Sequence, residues 1–224
     1  MKFFKFGFIG FIILHCIALG CAKAPSQFSD APSQFLSKFD QELFARATLH
    51  QQKGQIDSAI VLWNKFLQRN PNSFEVRNNL GLLYYANDEI VQAIYHFDQG
   101  LKLKPREDQL KMNLVRALKV QSAILEENRE YDEAIVDLSR IVQLSPAKEQ
   151  EAIERQIEAL EDQIFKQVKK SDSMGEYQEF LKKYPRSPGN SDEARLWIEN
   201  KLQAKKMGNQ ELLSSDFQPS LATE

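Results

Sequence analysis

The sequence predicts an all-α chain of stacked helix hairpins, and three observations carry that expectation. Ala59 and Ala93 lie 34 residues apart, as do Pro71 and Pro105. Within each period the apolar residues recur at spacings of three and four, the period of a helix with one buried face. Polar turn residues fall in phase between them: Gly54 in one period, Asn87-Asp88 in the next. Each helix is too short to be stable alone, so each hairpin has to share its apolar face with a neighbour.

The clearest period runs from Arg77 to Pro105. It places small residues at Gly81, Ala93 and Gly100, and large ones at Leu80, Tyr84 and Phe97. Small side chains let two antiparallel helices approach, and the aromatics fill the space beside them. Arg77, Leu80, Gly81, Tyr84, Ala93, Phe97 and Pro105 together resemble the tetratricopeptide signature, Trp-x2-Leu-Gly-x2-Tyr, Ala-x3-Phe, Pro, with Arg77 in the Trp place. The resemblance implies a right-handed superhelical solenoid of helix-turn-helix hairpins. It also implies that the first helices of the hairpins line a concave groove.

Taken in order, residues 1–20 read as a signal peptide. Lys2 and Lys5 supply the positive start, and Phe6 to Ile17 is an apolar run short for a bilayer span. Ile17-Ala18-Leu19-Gly20-Cys21 resembles a bacterial lipobox, which implies acylation at Cys21 and a stable anchor from two or more chains. Ala22 follows Cys21, and by the proteobacterial sorting rule this implies the outer membrane. The alternative is an ordinary secretory signal with an incidental cysteine. Cys16 follows bulky His15 and fits a lipobox poorly.

Residues 21–38 read as the lipidated N-terminus and a flexible tether. Ala24-Pro25-Ser26-Gln27-Phe28 recurs as Ala31-Pro32-Ser33-Gln34-Phe35, either as spacer or as a short docking motif. As a coil this stretch reaches roughly 20 to 25 Å. A helical repeat domain over 39–206 follows, with repeats at about 40–73, 74–107, 108–148 and 149–187.

The first repeat pairs a helix over Phe39–Lys53 with one over Ile56–Gln68, the latter burying Ala59, Ile60, Trp63 and Phe66. Asn72, with Glu75 three residues on, reads as the cap of the next helix. In the third repeat Ala134 and Pro146 fall 41 residues past Ala93 and Pro105, seven more than the period. Seven residues are two helical turns, so the spacing predicts a long first helix over Glu107–Glu127 with its buried face kept. A turn at Asn128-Arg129-Glu130 follows.

Ser145 reads as the next cap, with Pro146 at the first helical position. Ile153, Ile157, Leu160, Ile164 and Val168 then form a stripe, either the first helix of a lengthened fourth repeat or a short dimerising coiled coil. After a turn near Ser173–Gly175, Phe180-Leu181-Lys182-Lys183-Tyr184-Pro185-Arg186-Ser187 is similar to half-repeats of periplasmic cell-envelope assembly proteins. A capping helix is expected over 188–206 and a disordered polar tail over 207–224.

Removal of Lys2 and Lys5 leaves 29 − 2 = 27 positive against 31 negative residues, a net charge of −4. That balance draws the body to neither nucleic acid nor an anionic surface. Both cysteines lie before residue 22, so the repeat domain has no disulfide and no thiol chemistry. It contains no His-Glu-x-x-His motif and no phosphate loop. His50 and His96 stand alone, His50 at a packing position of its helix, and Glu151 with Arg155 and Asp162 with Lys166 read as surface pairs. No catalysis, cofactor or metal is expected.

Carried over by register from the family, the groove residues are Thr48 in the first repeat and Asn79, Leu82 and Tyr85 in the second. Met112, Asn113, Arg116 and Lys119 serve in the third. Asn79 and Asn113 are expected one repeat apart, offering amides to a peptide backbone. Arg116 and Lys119 are expected to hold a carboxylate. The expectation is a lipid-anchored adaptor that binds proteins on the periplasmic side of the outer membrane or at the cell surface. The rival readings are a self-associating envelope protein using Ile153 to Val168, and a cell-wall enzyme.

Overall fold

The computed structural model describes residues 36–215, with side chains through residue 207. Signal peptide, Cys21, most of the tether and residues 216–224 lie outside the described residues. The described part holds four helix hairpins and a closing helix, with no strand. The hairpins are α1 (Lys38–Gln52) with α2 (Ile56–Arg69), α3 (Phe74–Ala86) with α4 (Ile90–Leu103), α5 (Asp108–Asn128) with α6 (Tyr131–Leu144), and α7 (Ala147–Ser171) with α8 (Met174–Lys183). Helix α9 (Asn190–Ser215) closes the array. Each helix packs on its neighbours in the chain, and α3 also touches α5.

The small residues decide how closely the helices pack. Gly81 of α3 faces the ring of Phe97 on α4, so closely that a β-carbon there would sit 2.6 Å from Cδ1 and 2.8 Å from Cζ. Ala47, Ala59, Ala93 and Ala134 are fully buried for the same reason. The turns need left-handed backbone. Gly54 supplies φ +68°, and Asp88 and Arg129 adopt φ of 60° and 65°. Among residues with a β-carbon, aspartate is one of the more tolerant of that region.

Three apolar clusters join into one line of core. The first is built on Leu43, Trp63, Phe66 and Leu80. The second is built on Phe97, Leu110, Leu114, Leu118 and Leu138, and the third on Phe165, Tyr177 and Phe180. Tyr84 packs against the first two, while Ile164 and Tyr184 pack against the second and third. Trp63 is fully buried, meets Phe44 and Phe66 edge to face, and donates its indole N–H to Gln51 Oε1 at 3.0 Å. The lengthened α5 keeps its buried face through the added turns, with Leu118 and Ser122 inside and Leu125 packed on the core.

Several local expectations are corrected. Ser73, not Asn72, caps α3: its hydroxyl accepts from Val76 N–H at 3.4 Å. Pro71 and Asn72 occupy the turn, which leaves Ser73 as the first residue in extended geometry. Pro146 rather than Ser145 precedes α7, because Ser145 ends α6. The Gln150 amide there donates to the Val142 and Ser145 carbonyls, both at 3.0 Å. The turn before α8 is Asp172-Ser173, and Gly175 lies inside the helix. Ile60 is half-buried. Arg155 pairs with Glu151, whereas Asp162 accepts from Asn190 at 2.7 Å.

Two further outcomes, the first deciding between the two readings of the stripe and the second a correction, bear on function. The stripe on α7 is occupied within the chain: Ile153 and Leu160 belong to the second cluster and Val168 to the third. It is therefore not left for a second copy. The last helix continues to Ser215, into the segment expected to be disordered. Gln210-Glu211-Leu212-Leu213 are strong helix formers, and their propensity extends a helix already nucleated by packing.

Candidate functional site

The first helices α1, α3 and α5 carry every residue expected to line the groove. Met112, Arg116 and Lys119 recur at spacings of four and three, which puts them on one face of α5. Met112 is 55% exposed, and Arg116 and Lys119 are also exposed. Neither cation has an ion-pair partner among the described residues. Leu82 and Tyr85 are half-buried, packed on the second core cluster. Thr48 is half-buried and its hydroxyl donates back to the Phe44 carbonyl at 3.0 Å.

The asparagines behave differently from expectation. Asn113 is 1% exposed. Its Nδ2 donates to Asn78 Oδ1 at 2.8 Å, and its Oδ1 accepts from Gln109 Nε2 at 3.2 Å. Its amide therefore ties α5 to α3 and is not offered to a peptide. Asn79 is 7% exposed and is not Asn113's partner. The pairing is with Asn78, one residue off the repeat period, because the helices meet through facing flanks. Asn78 and Gln109 were missed from the sequence. The spacing of four between Gln109 and Asn113 was the available signal.

The second helices present a separate row. Val61, Tyr95 and Val136 each stand two residues past the buried alanine of their repeat, and all three are at least half exposed. His96, beside Tyr95, is 5% exposed and stacked on Tyr84 with ring centroids 5.2 Å apart. Burial, and then the nearby Arg77 guanidinium, lower its pKa from 6.5 to about 4. Asp137 stands at the corresponding place in the third repeat, and burial raises its carboxyl pKa.

The lowered pKa of His96 makes a pH prediction. The unfolded chain takes up the proton first, so stability is lost as pH falls through the window from 6.5 to about 4. The loss attributable to His96 is about 2–3 kcal/mol. Urea unfolding at several pH values checks it. His96→Leu, which copies Leu62 of the first repeat, is expected to flatten the profile across that window. An unchanged profile contradicts the assignment.

Residues 43–73 match the family model of the tetratricopeptide repeat. The match falls on the first hairpin of an array of four helix hairpins among the described residues. None of the curated proteins compared matches it. Among solved structures it is similar to the MamA protein, with 18% identity over 84% of this chain and 100% of that one and a TM-score of 0.41. It is similar to the tetratricopeptide domain of P58(IPK), with 13% identity over 80% and 52% and a TM-score of 0.43. A third is the first such domain of Spaghetti (RPAP3) bound to the HSP90 peptide SRMEEVD, with 16% identity over 53% and 94% and a TM-score of 0.37.

Proposed function

We propose that this protein is a lipid-anchored adaptor that holds an acidic segment of another protein against the first-helix wall. The observation that carries the reading is the uncovered face of α5, where Met112 offers apolar contact and Arg116 and Lys119 offer charge without internal partners. The tetratricopeptide match over residues 43–73 supports protein binding as the use of such a wall. Leu82, Tyr85 and Thr48 extend the surface toward α1, while Asn79 is buried and Asn113 acts beneath the surface as a brace. Immobilised protein is expected to retain carboxylate-rich peptides from a mixed pool. Retention should fall as salt rises from about 0.1 to about 1 M, because exposed charges are screened over that range. Retention of basic or purely apolar peptides alone, unaffected by salt, would overturn it.

Cys21 is the proposed anchor, placing the array on the periplasmic face of a bacterial outer membrane or at the cell surface. The short apolar run and the Leu19-Gly20-Cys21 ending support it. No helix among the described residues is long and apolar enough to cross a membrane. Cys21→Ser is expected to move the protein from the membrane to the soluble fraction of the envelope. Retention of that variant in the membrane contradicts acyl anchoring.

A further inference from the structure

An open cavity of about 560 Å³ lies where the array begins. Its apolar wall is Leu36, Phe66, Pro71 and Phe74, and its rim carries Arg69, Lys104 and Glu75. Leu36 also packs on the first core cluster, and its carbonyl accepts from Gln41 Nε2 at 3.0 Å. The chain upstream of residue 36 therefore starts from a fixed point on the cavity wall. Lys104 lies over the Phe74 ring at 5.3 Å and has no carboxylate partner among the described residues. Arg69 is paired with Asp40, and Glu75 accepts from the Ser73 hydroxyl at 3.1 Å.

We propose that this cavity is the docking site of the chain's own upstream segment, with Phe28 seated against Pro71 and Phe74 and the Asp30 carboxylate toward Lys104. One feature selects Phe28 over its duplicate, Phe35. Only the first copy is followed by an acid: Asp30 stands two residues past Phe28, whereas Leu36 and Ser37 follow Phe35. Charge then complements charge at Lys104.

The eight residue steps from Phe28 to Leu36 span roughly 15 Å as a coil, and a tether this short gives an effective concentration in the millimolar range. At that concentration the ring and the Asp30–Lys104 attraction act together. Docking also shortens the free stretch after Cys21 from residues 22–35 to residues 22–27. Where Cys21 is acylated, the array is held close to the lipid surface.

Hydrogen exchange of the backbone amides of Asn70 and of Asn72 to Glu75, measured on the full chain, tests this. Phe28→Ala is expected to raise their exchange several-fold while the amides of α5 and α6 stay unchanged. A synthetic peptide spanning Ala24–Asp30 at about millimolar concentration should restore the protection. Phe35→Ala should leave exchange as it was. No change on Phe28→Ala overturns the proposal, and so does an equal rise on Phe35→Ala. Protection that fades on dilution assigns the cavity to a second copy and also overturns it.

Discussion

Replacing Phe97 with alanine is expected to destabilise the protein by about 3–5 kcal/mol, the usual cost of deleting a buried aromatic side chain. Phe97 is 1% exposed and belongs to the second core cluster. That cost is a large share of the ~5–15 kcal/mol that stabilises an ordinary domain. Gly81 makes the argument specific to this site. In an open helix, Gly→Ala gains about 1 kcal/mol from propensity. Here the new β-carbon meets Cδ1, Cε1 and Cζ of a ring with nowhere to move. Gly81→Ala is therefore expected to lose about 1–3 kcal/mol, as overpacking does. Shrinking the ring with Phe97→Leu should relieve it, so the two substitutions together should be less costly than their sum. Urea midpoints of the four proteins check this, and a stabilising Gly81→Ala would contradict the packing.

The second large effect lies on α5. Arg116→Glu with Lys119→Glu is expected to weaken partner binding by about tenfold or more, since two attractive contacts become repulsive. Both side chains are exposed and unpaired, so thermal stability should change little. Asn113→Ala should do the reverse. It leaves Asn78 and Gln109 without their partner and lowers stability by about 1–3 kcal/mol. Titration of the partner captured in cells, alongside a melting curve for each variant, separates the two effects. Equal binding by the charge-reversed protein would remove Arg116 and Lys119 from the site.

Much of the architecture was legible because repetition is a strong signal. The 34-residue spacing of Ala59 to Ala93 fixed which helices pair, and the seven-residue excess before Ala134 located the long α5. What failed was decided by tertiary neighbours. Asn72 and Ser73 are both good caps by type, and the turn through Pro71 chose between them. The stripe from Ile153 to Val168 has the same spacing whether it meets a second copy or its own α6 and α8. Only packing shows that the inner positions are taken. Asn113 carries the register of a groove residue, yet its side chain is buried under the wall and bonded to Asn78. In the candidate site the exposed faces were readable and the braces beneath them were not.

The proposed function puts a partner segment along the first-helix wall rather than along the second-helix row. Photo-crosslinking in living cells from Met112 and Lys119, with Val61 and Val136 as control positions, tests it most directly. Adducts to one or a few proteins are expected from Met112 and Lys119, lost on Arg116→Glu, and none of them from the controls. The same adducts arising from Val61 or Val136, with Met112 silent, would contradict it.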